Sequence, residues 1–448
     1  MKEMILHSDL AKKLYQSVKH LPIIDYHNHL SLEDLKNNRR FENITQLWII
    51  PDPYKHRLMR ICGVEEKYIT GNSCDYDKFL AWCKVFPTLV GTPVYDWSLL
   101  EFQNVFGIDL PINQTNALKI WELTNEKLQD EEYTVYGLMN RFNVEYSAPC
   151  ASICDDVCFY ASTPNFAPSL RADDILSPNK LFVEKLERLT NIKISTLNDY
   201  YKAIEMRIDY FKSLGCKFCD HALDNGFRYS KGQKEEDYFK LTVQGNTLTK
   251  EQSEALKSDI LFNLGCIYSK KNLTMLLHVG ALRQTSDRLK SLAGPAGGFA
   301  GIGNDFEIAS ITKLLNDIEC KNGLCRTVIF TLNPAYNAII ATLSGSFSKD
   351  GVPSVVSQGP AWWWCDHLEG MREFFDKYSV YSVLSQFIGM TTDSRSFLSF
   401  VRHDYYRRML CQWLADKIES NQFNADENQL VAIVKKLSYE NAKKILEE

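Results

Sequence analysis

Short apolar runs that end on a polar or titratable residue recur along this chain, and longer amphipathic stretches separate them. Leu21-Pro22-Ile23-Ile24-Asp25 runs into His27, and Asn143 to Ala148 is a second such run. Cys216-Lys217-Phe218 leads to Asp220-His221, Leu273 to Leu277 leads to His278, and Arg326 to Thr331 leads to Asn333-Pro334. Ser354 to Ser357 is short and β-branched. Runs of this length read as buried strands, whereas Lys180 to Thr190, with Leu181, Val183, Leu186 and Leu189 spaced among Lys and Glu, reads as a helix. The alternation predicts an α/β fold with a parallel sheet. Polar groups at the ends of the strands are the mark of a (β/α)8, TIM-like barrel, which gathers its chemistry at the C-terminal mouth.

Residues 31–140 interrupt the pattern. They are aromatic-rich, carry Trp48, Trp82, Trp97 and Trp121, and show no clear strand. A connection this long packs as a unit of its own, so we expect a helical insertion after the first strand. The chain then divides into 1–30 (N-terminal helix and first strand), 31–140 (helical insertion) and 141–448 (the rest of the barrel with C-terminal helices). A length of 448 residues would by itself suggest two or three domains, but barrels of this class absorb large insertions. Net charge is −5 with no long run of one sign, which excludes long-range attraction to nucleic acid or an anionic membrane. A small anionic substrate would need a local cationic pocket instead. No run of 18 apolar residues predicts a membrane span. The segment Met1 to Leu10, with Lys2, Glu3, His7 and Asp9, has no apolar core of a leader. The 13 cysteines are scattered. Neither the Cys216/Cys219 pair nor the trio Cys150, Cys154 and Cys158 has a partner pair at zinc-knuckle spacing, so reduced thiols in a cytoplasmic protein are expected.

Three constellations stand at the ends of apolar runs. His27-Asn28-His29 closes the first. Residues i and i+2 of an extended segment point the same way, so both imidazoles can reach one divalent ion, and imidazole suits Zn²⁺, Fe²⁺, Mn²⁺ or Ni²⁺. An isolated H-x-H is more often two surface histidines in a turn; this one follows a buried run in a chain with nine histidines in all. His278 follows Leu276-Leu277, with Arg283 five residues on. That pairs an imidazole with a guanidinium for a carboxylate or hydroxyl, against the plainer alternative of a satisfied core histidine. Met390-Thr391-Thr392-Asp393-Ser394-Arg395 follows the apolar stretch Val380 to Ile388. Asp393 at the end of a late strand can complete a metal site or act as a base, with Arg395 in the same mouth. The plainer alternative is an N-cap aspartate and a solvated arginine. Trp362-Trp363-Trp364 can wall a sugar ring or sit in the core. Asp220-His221 can hydrogen-bond hydroxyls, and Arg171 can hold a carboxylate or simply be a solvated loop arginine.

Together these segments resemble the uronate (glucuronate) isomerases of the amidohydrolase superfamily, over nearly the whole chain. The resemblance is carried by P-I-I-D-Y-H-N-H-L from Pro22, Y-K-H-R-L-M-R-I-C-G-V from Tyr54, T-G-N-S-C-D-Y-D-K-F from Thr70, L-L-H-V-G-A-L-R from Leu276, N-P-A-Y-N from Asn333 and A-W-W-W-C-D-H-L-E-G-M from Ala361. The T-D-S-R-S-F-L-S string from Thr392, with W-W and H-x-H in this order, is its most specific part. The resemblance implies a distorted (β/α)8 barrel with a helical insertion after the first strand. It implies interconversion of aldohexuronates and ketohexuronates, glucuronate to fructuronate and galacturonate to tagaturonate, with one divalent metal, usually zinc. By position the metal ligands would be His27, His29 and Asp393. Arg171, Asp220, His278, Arg283, Trp363 and Arg395 would line the substrate pocket, and Tyr54 would be the active-site tyrosine. A small hexuronate would be the partner, in a homo-oligomer. The chain departs from the usual pattern at Pro53, Asp96, Tyr336 and residues 151–157, all in expected mouth loops.

An aldose–ketose isomerase needs a base near C2, an electrophile that acidifies C2–H and an acid for the carbonyl oxygen. Tyr54 and Asp393 are the expected proton carriers, with His278 polarising an oxygen. A free phenol titrates near pH 10, so Tyr54 as a base would need a neighbouring cation or the metal. The same scaffold also hosts hydrolases and decarboxylases, and the changed mouth loops leave a non-catalytic sugar-acid-binding paralogue as a third possibility.

Overall fold

In the computed structural model, which describes residues 4–163 and 165–448, seven strands form one parallel sheet. The strands of the chain are β1 (Ile23–Asn28), β2 (Val144–Ser152), β3 (Ser169–Arg171), β4 (Phe218–Asp224), β5 (Thr274–Val279), β6 (Ala281–Leu282), β7 (Gly301–Ile302), β8 (Thr327–Thr331) and β9 (Val356–Gln358). The parallel sheet runs β1-β2-β3-β4-β5-β8-β9, and β6 and β7 pair antiparallel apart from it. Every pairing in the seven-stranded sheet is parallel, so its strands point their C-terminal ends to the same side. β1, β5 and β8 are buried at every residue, the expected state of parallel strands covered on both faces.

Several helices between strands begin on side-chain caps. Thr196 and Asp199 form a capping box for Leu197–Ser213, and Thr249 and Gln252 do the same for Lys250–Lys271. Residues 32–141 are helical, from Leu32–Lys36 to Val135–Arg141, and contain no strand. Their aromatic residues pack inward: Trp48 meets Trp82 edge-on with ring centroids 5.8 Å apart. They also share a core with the long helix Val401–Glu419, since the Arg402 guanidinium carbon lies 4.0 Å over the Trp97 ring. Among the described residues no helix is long and apolar enough to cross a membrane, and all 13 cysteines are free thiols.

Three elements differ from the sequence expectation. Arg171, expected in a loop, ends strand β3, which at three residues is too short to show a period. Asp220 and His221, expected to follow a strand, lie inside β4 and therefore project to opposite sides. The late strand before Asp393 does not form. Helix Leu368–Tyr381 takes up the start of that apolar stretch, and a 3-10 turn follows at Leu384–Gln386. Gly389 (φ 98°) and Asp393 (φ 49°) then break any extended run. The segment still docks on β1, through Asp393 N–H to His27 O (3.1 Å) and His29 N–H to Ser394 O (2.8 Å).

Candidate active site

Two imidazoles and one carboxylate oxygen meet where β1 ends. His27 Nε2 and His29 Nε2 stand 3.2 and 3.1 Å from the same oxygen, Asp393 Oδ1. That buried oxygen nevertheless has no hydrogen-bond partner. The local structure explains the convergence. Trp362 Nε1 donates to the other oxygen, Asp393 Oδ2, at 2.7 Å, which leaves Oδ1 turned to the histidines. The 391–394 segment is itself tied to Asp25 of β1: Thr391 Oγ1 and Thr392 N donate to Asp25 Oδ1 (2.9 and 2.6 Å), and Thr392 Oγ1 to Oδ2 (2.8 Å). Nitrogen and oxygen donors about 2.0–2.1 Å from a tetrahedral ion stand about 3.3 Å apart, and each imidazole matches that spacing to Asp393 Oδ1. Among the described residues, the groups whose ligand atoms all lie within 4.8 Å of one another are His27 with His29 and Cys150, and His27 with Asp220 and His278. Burial lowers the His29 pKa to about 4, leaving the neutral imidazole that a metal requires, whereas at His27 burial is outweighed by Cys150, Asp393 and Asp220 and the pKa lies well above its usual value, so an ion there would have to displace a proton. Burial opposes ionisation of Asp393, but the two imidazoles overcome it and hold the carboxyl well below its usual range.

The three groups belong to a cavity of about 570 Å³ at the strand ends. Three guanidinium groups (Arg171, Arg283, Arg395) line it with four carboxylates (Asp173, Asp174, Asp224, Asp393). The side chains alone therefore give no cationic excess, and a divalent ion beside His27, His29 and Asp393 would tip the balance towards an anion. Arg171 is engaged by Asp173 and Asp220, each at 2.7 Å. Arg283 is engaged by Asp224 at 2.6 Å and lies over the Trp363 ring at 5.1 Å. Arg395 has no hydrogen bond or ion pair among the described residues, so of the three it is the one open to a ligand. The Tyr54 hydroxyl and His278 Nε2 are buried without partners. Burial outweighs the Arg402 guanidinium and raises the Tyr54 phenol well above 10, which keeps it protonated at neutral pH. Burial, with His27 beside it, keeps His278 neutral. The segment between β6 and β7 roofs the cavity through Pro295, Ala296, Gly298, Phe299 and Ala300. It is held by Arg60 Nη1 to the Gly297 carbonyl and by Trp364 Nε1 to Ala300 O at 3.1 Å.

The glucuronate isomerase family model matches residues 1–446. The chain belongs to the glucuronate isomerase family. It is 38% identical to a uronate isomerase of Caldanaerobacter subterraneus, over 99% of this chain and 98% of that one. With a uronate isomerase of Oceanobacillus iheyensis it shares 36% identity, over 98% and 96%. The crystal structure of the Thermotoga maritima uronate isomerase superposes with a TM-score of 0.93 at 28% identity, over 100% of this chain and 99% of that one. The glucuronate isomerase of Caulobacter crescentus, 22% identical, shares the fold with a TM-score of 0.92 over 100% and 96%. The chain is thus an isomerase, and the hydrolase and decarboxylase alternatives fall away.

In this glucuronate isomerase relative, nine of the ten residues singled out from sequence line one cavity: His27, His29, Tyr54, Arg171, His278, Arg283, Trp363, Asp393 and Arg395. Asp220 does not line it. It is fully buried, beneath Arg171. His221 turns the other way, with Nδ1 at 3.1 Å from Leu276 O and Nε2 at 3.1 Å from the Tyr268 hydroxyl. Of the departures from the family pattern, Pro53 and Ser152 line the cavity, whereas Asp96 and Tyr336 do not. Sequence reasoning missed Asp25, Cys150 and Trp362 as individual contributors. Asp25 and Trp362 lay inside motifs already quoted. Cys150 gave no signal of its own.

Proposed function

We propose that this chain is a metal-dependent aldose–ketose isomerase of hexuronates, converting D-glucuronate to D-fructuronate and D-galacturonate to D-tagaturonate, with His27, His29 and Asp393 holding one divalent ion, zinc by the family resemblance, which the donor set accommodates. The observation that carries it is the pair of imidazole Nε2 atoms converging on the unpartnered Asp393 Oδ1 beside the unpaired Arg395. Bound there, the ion would supply Lewis acidity that acidifies C2–H of the open-chain sugar.

The chain's own residues take the remaining tasks. Arg395 holds the substrate carboxylate through its planar fork, while Arg171 and Arg283, fixed by aspartates, set the walls. The ionised Asp393 carboxylate accepts the proton from C2. Tyr54, a protonated phenol, gives a proton to the C1 carbonyl oxygen. Protonated Asp393 then gives its proton to C1 while O2 returns a proton to the Tyr54 phenolate, so the ketose has the atoms of the aldose and both residues recover their starting states. His278, neutral and with Nε2 unpartnered, polarises an oxygen of the substrate. Trp363 offers its face to the sugar C–H groups.

We read the sheet as a distorted (β/α)8 barrel completed at β1 by the irregular 391–394 segment, and residues 31–140 as its helical insertion. We place the chain in the cytoplasm, where free thiols persist. The test is direct. Purified protein incubated with glucuronate or galacturonate forms the corresponding keto acid, stops on chelation and recovers with Zn²⁺. Turnover indifferent to chelation would remove the metal from the reading, and metal uptake without turnover of either uronate would assign another substrate.

A further inference from the structure

Behind His27, on the side away from Asp393, lies a thiol that the proposed reaction does not use. Cys150 Sγ stands 3.6 Å from His27 Nδ1 and donates at 3.2 Å to Asp220 Oδ1. Asp220 is fully buried and receives Arg171 Nη1 on its other oxygen at 2.7 Å. A thiol has one proton. With that proton committed to Asp220, the sulfur can only accept from the imidazole, so Nδ1 must carry hydrogen. In the neutral imidazole the lone pair is then left on Nε2, the nitrogen that faces Asp393 Oδ1 at 3.2 Å. Imidazole ligands are commonly fixed in this way, by a carboxylate or carbonyl that accepts the other N–H. Here a thiol occupies that place and passes the bond on to a carboxylate.

We propose that Cys150 is a positioning residue. It links His27 to the Asp220–Arg171 pair, and this Arg171–Asp220–Cys150–His27 chain sets the tautomer and ring orientation of His27 for the cation. The proposal rests on the metal reading given above. It competes with direct ligation by sulfur, because the sulfur and donor nitrogens of His27 and His29 all lie within 4.8 Å of one another. The position of the sulfur against Nδ1, rather than Nε2, favours the positioning role. The chain also explains why Asp220 lies under the cavity wall: it joins a substrate-facing arginine to a metal-facing histidine.

Zn²⁺ affinity measured by chelator competition, on wild type, Cys150→Ala and Cys150→Ser, tests the link. Alanine should weaken binding about 10–100-fold, the usual cost of losing such a partner. Serine, which still accepts and donates, should restore most of it. The Co²⁺-loaded wild type should lack a sulfur-to-cobalt charge-transfer band in the near ultraviolet. Nitrogen-15 NMR of the Zn²⁺-loaded wild type should show His27 as the Nδ1–H tautomer, a readout that needs no variant to fold. A charge-transfer band, an alanine variant as tight as wild type, or a proton on His27 Nε2 overturns the proposal. Wild type that takes up no Zn²⁺ overturns the metal reading itself, a failure distinct from the others.

Discussion

The two oxygens of Asp393 are differently committed: one accepts from Trp362 at 2.7 Å, and the other faces two imidazoles without a hydrogen bond. A similar contrast runs through the arginines of the cavity, where Arg171 and Arg283 are engaged by aspartates and Arg395 is not. Loss of the unpaired guanidinium should therefore appear in binding. Arg395→Gln should raise KM for a uronate about tenfold or more with a smaller fall in kcat, since a ground-state anchor is removed. Tyr54→Phe should do the reverse, lowering kcat about 10²-fold or more, the size expected for a lost general acid, with Zn²⁺ affinity unchanged. Steady-state kinetics with a metal titration separates the two. An unchanged KM in the arginine variant would move the carboxylate anchor to Arg171 or Arg283.

The β6–β7 connection is the element that closes the cavity from above, and one glycine decides how closely it can lie. Gly298 has φ 81°, and a Cβ there would collide with the Pro53 carbonyl oxygen. Gly298→Ala should lift this segment from helix Pro53–Ile61, which carries Tyr54. We expect kcat and KM to worsen together by several-fold and proteolysis within residues 283–303 to accelerate, with little change in Tm, because the roof contributes little to the core. Wild-type kinetics in that variant would show that the roof tolerates the shift. Neither the roof nor its glycine was legible in the sequence, because two-residue strands leave no periodic trace. β1, β2, β5 and β8 were legible, being apolar runs long enough to read. The 391–394 segment was found by its residues and mistaken in its form: its motif named Asp393, but positive φ at Gly389 and Asp393 is a tertiary demand that apolar patterning does not reveal. Asp220 and His221 show the other failure. Adjacent in sequence, they were read as one feature, and strand alternation sends one under the cavity and the other to Tyr268.

The helical residues 32–141 pack against helix Val401–Glu419. Arg402, buried on helix Val401–Glu419, lies over Tyr54 and Trp97 at 4.6 and 4.0 Å. It reaches Asp366 Oδ2 at only 3.6 Å. Asp366 Oδ1 and Arg402 Nε have no partners. An ion pair buried with unsatisfied atoms regains little of its desolvation cost, and burial accordingly outweighs Arg402 and raises the Asp366 pKa to about 7. In the unfolded chain the same carboxyl titrates near 3.9. Between those values the folded state binds a proton that the unfolded state has released. This group therefore makes folding less favourable as pH rises from about 4 to about 7, with the full loss reached above the folded pKa. Asp366→Asn keeps the neutral shape and removes the titration. Thermal melts across that interval should show a shallower decline with pH in the variant than in wild type, and the variant should melt higher at pH 8. Equal slopes in the two proteins would mean that Arg402 holds Asp366 as an ordinary ionised partner, and that the seam between residues 32–141 and helix Val401–Glu419 holds a satisfied salt bridge rather than a strained one.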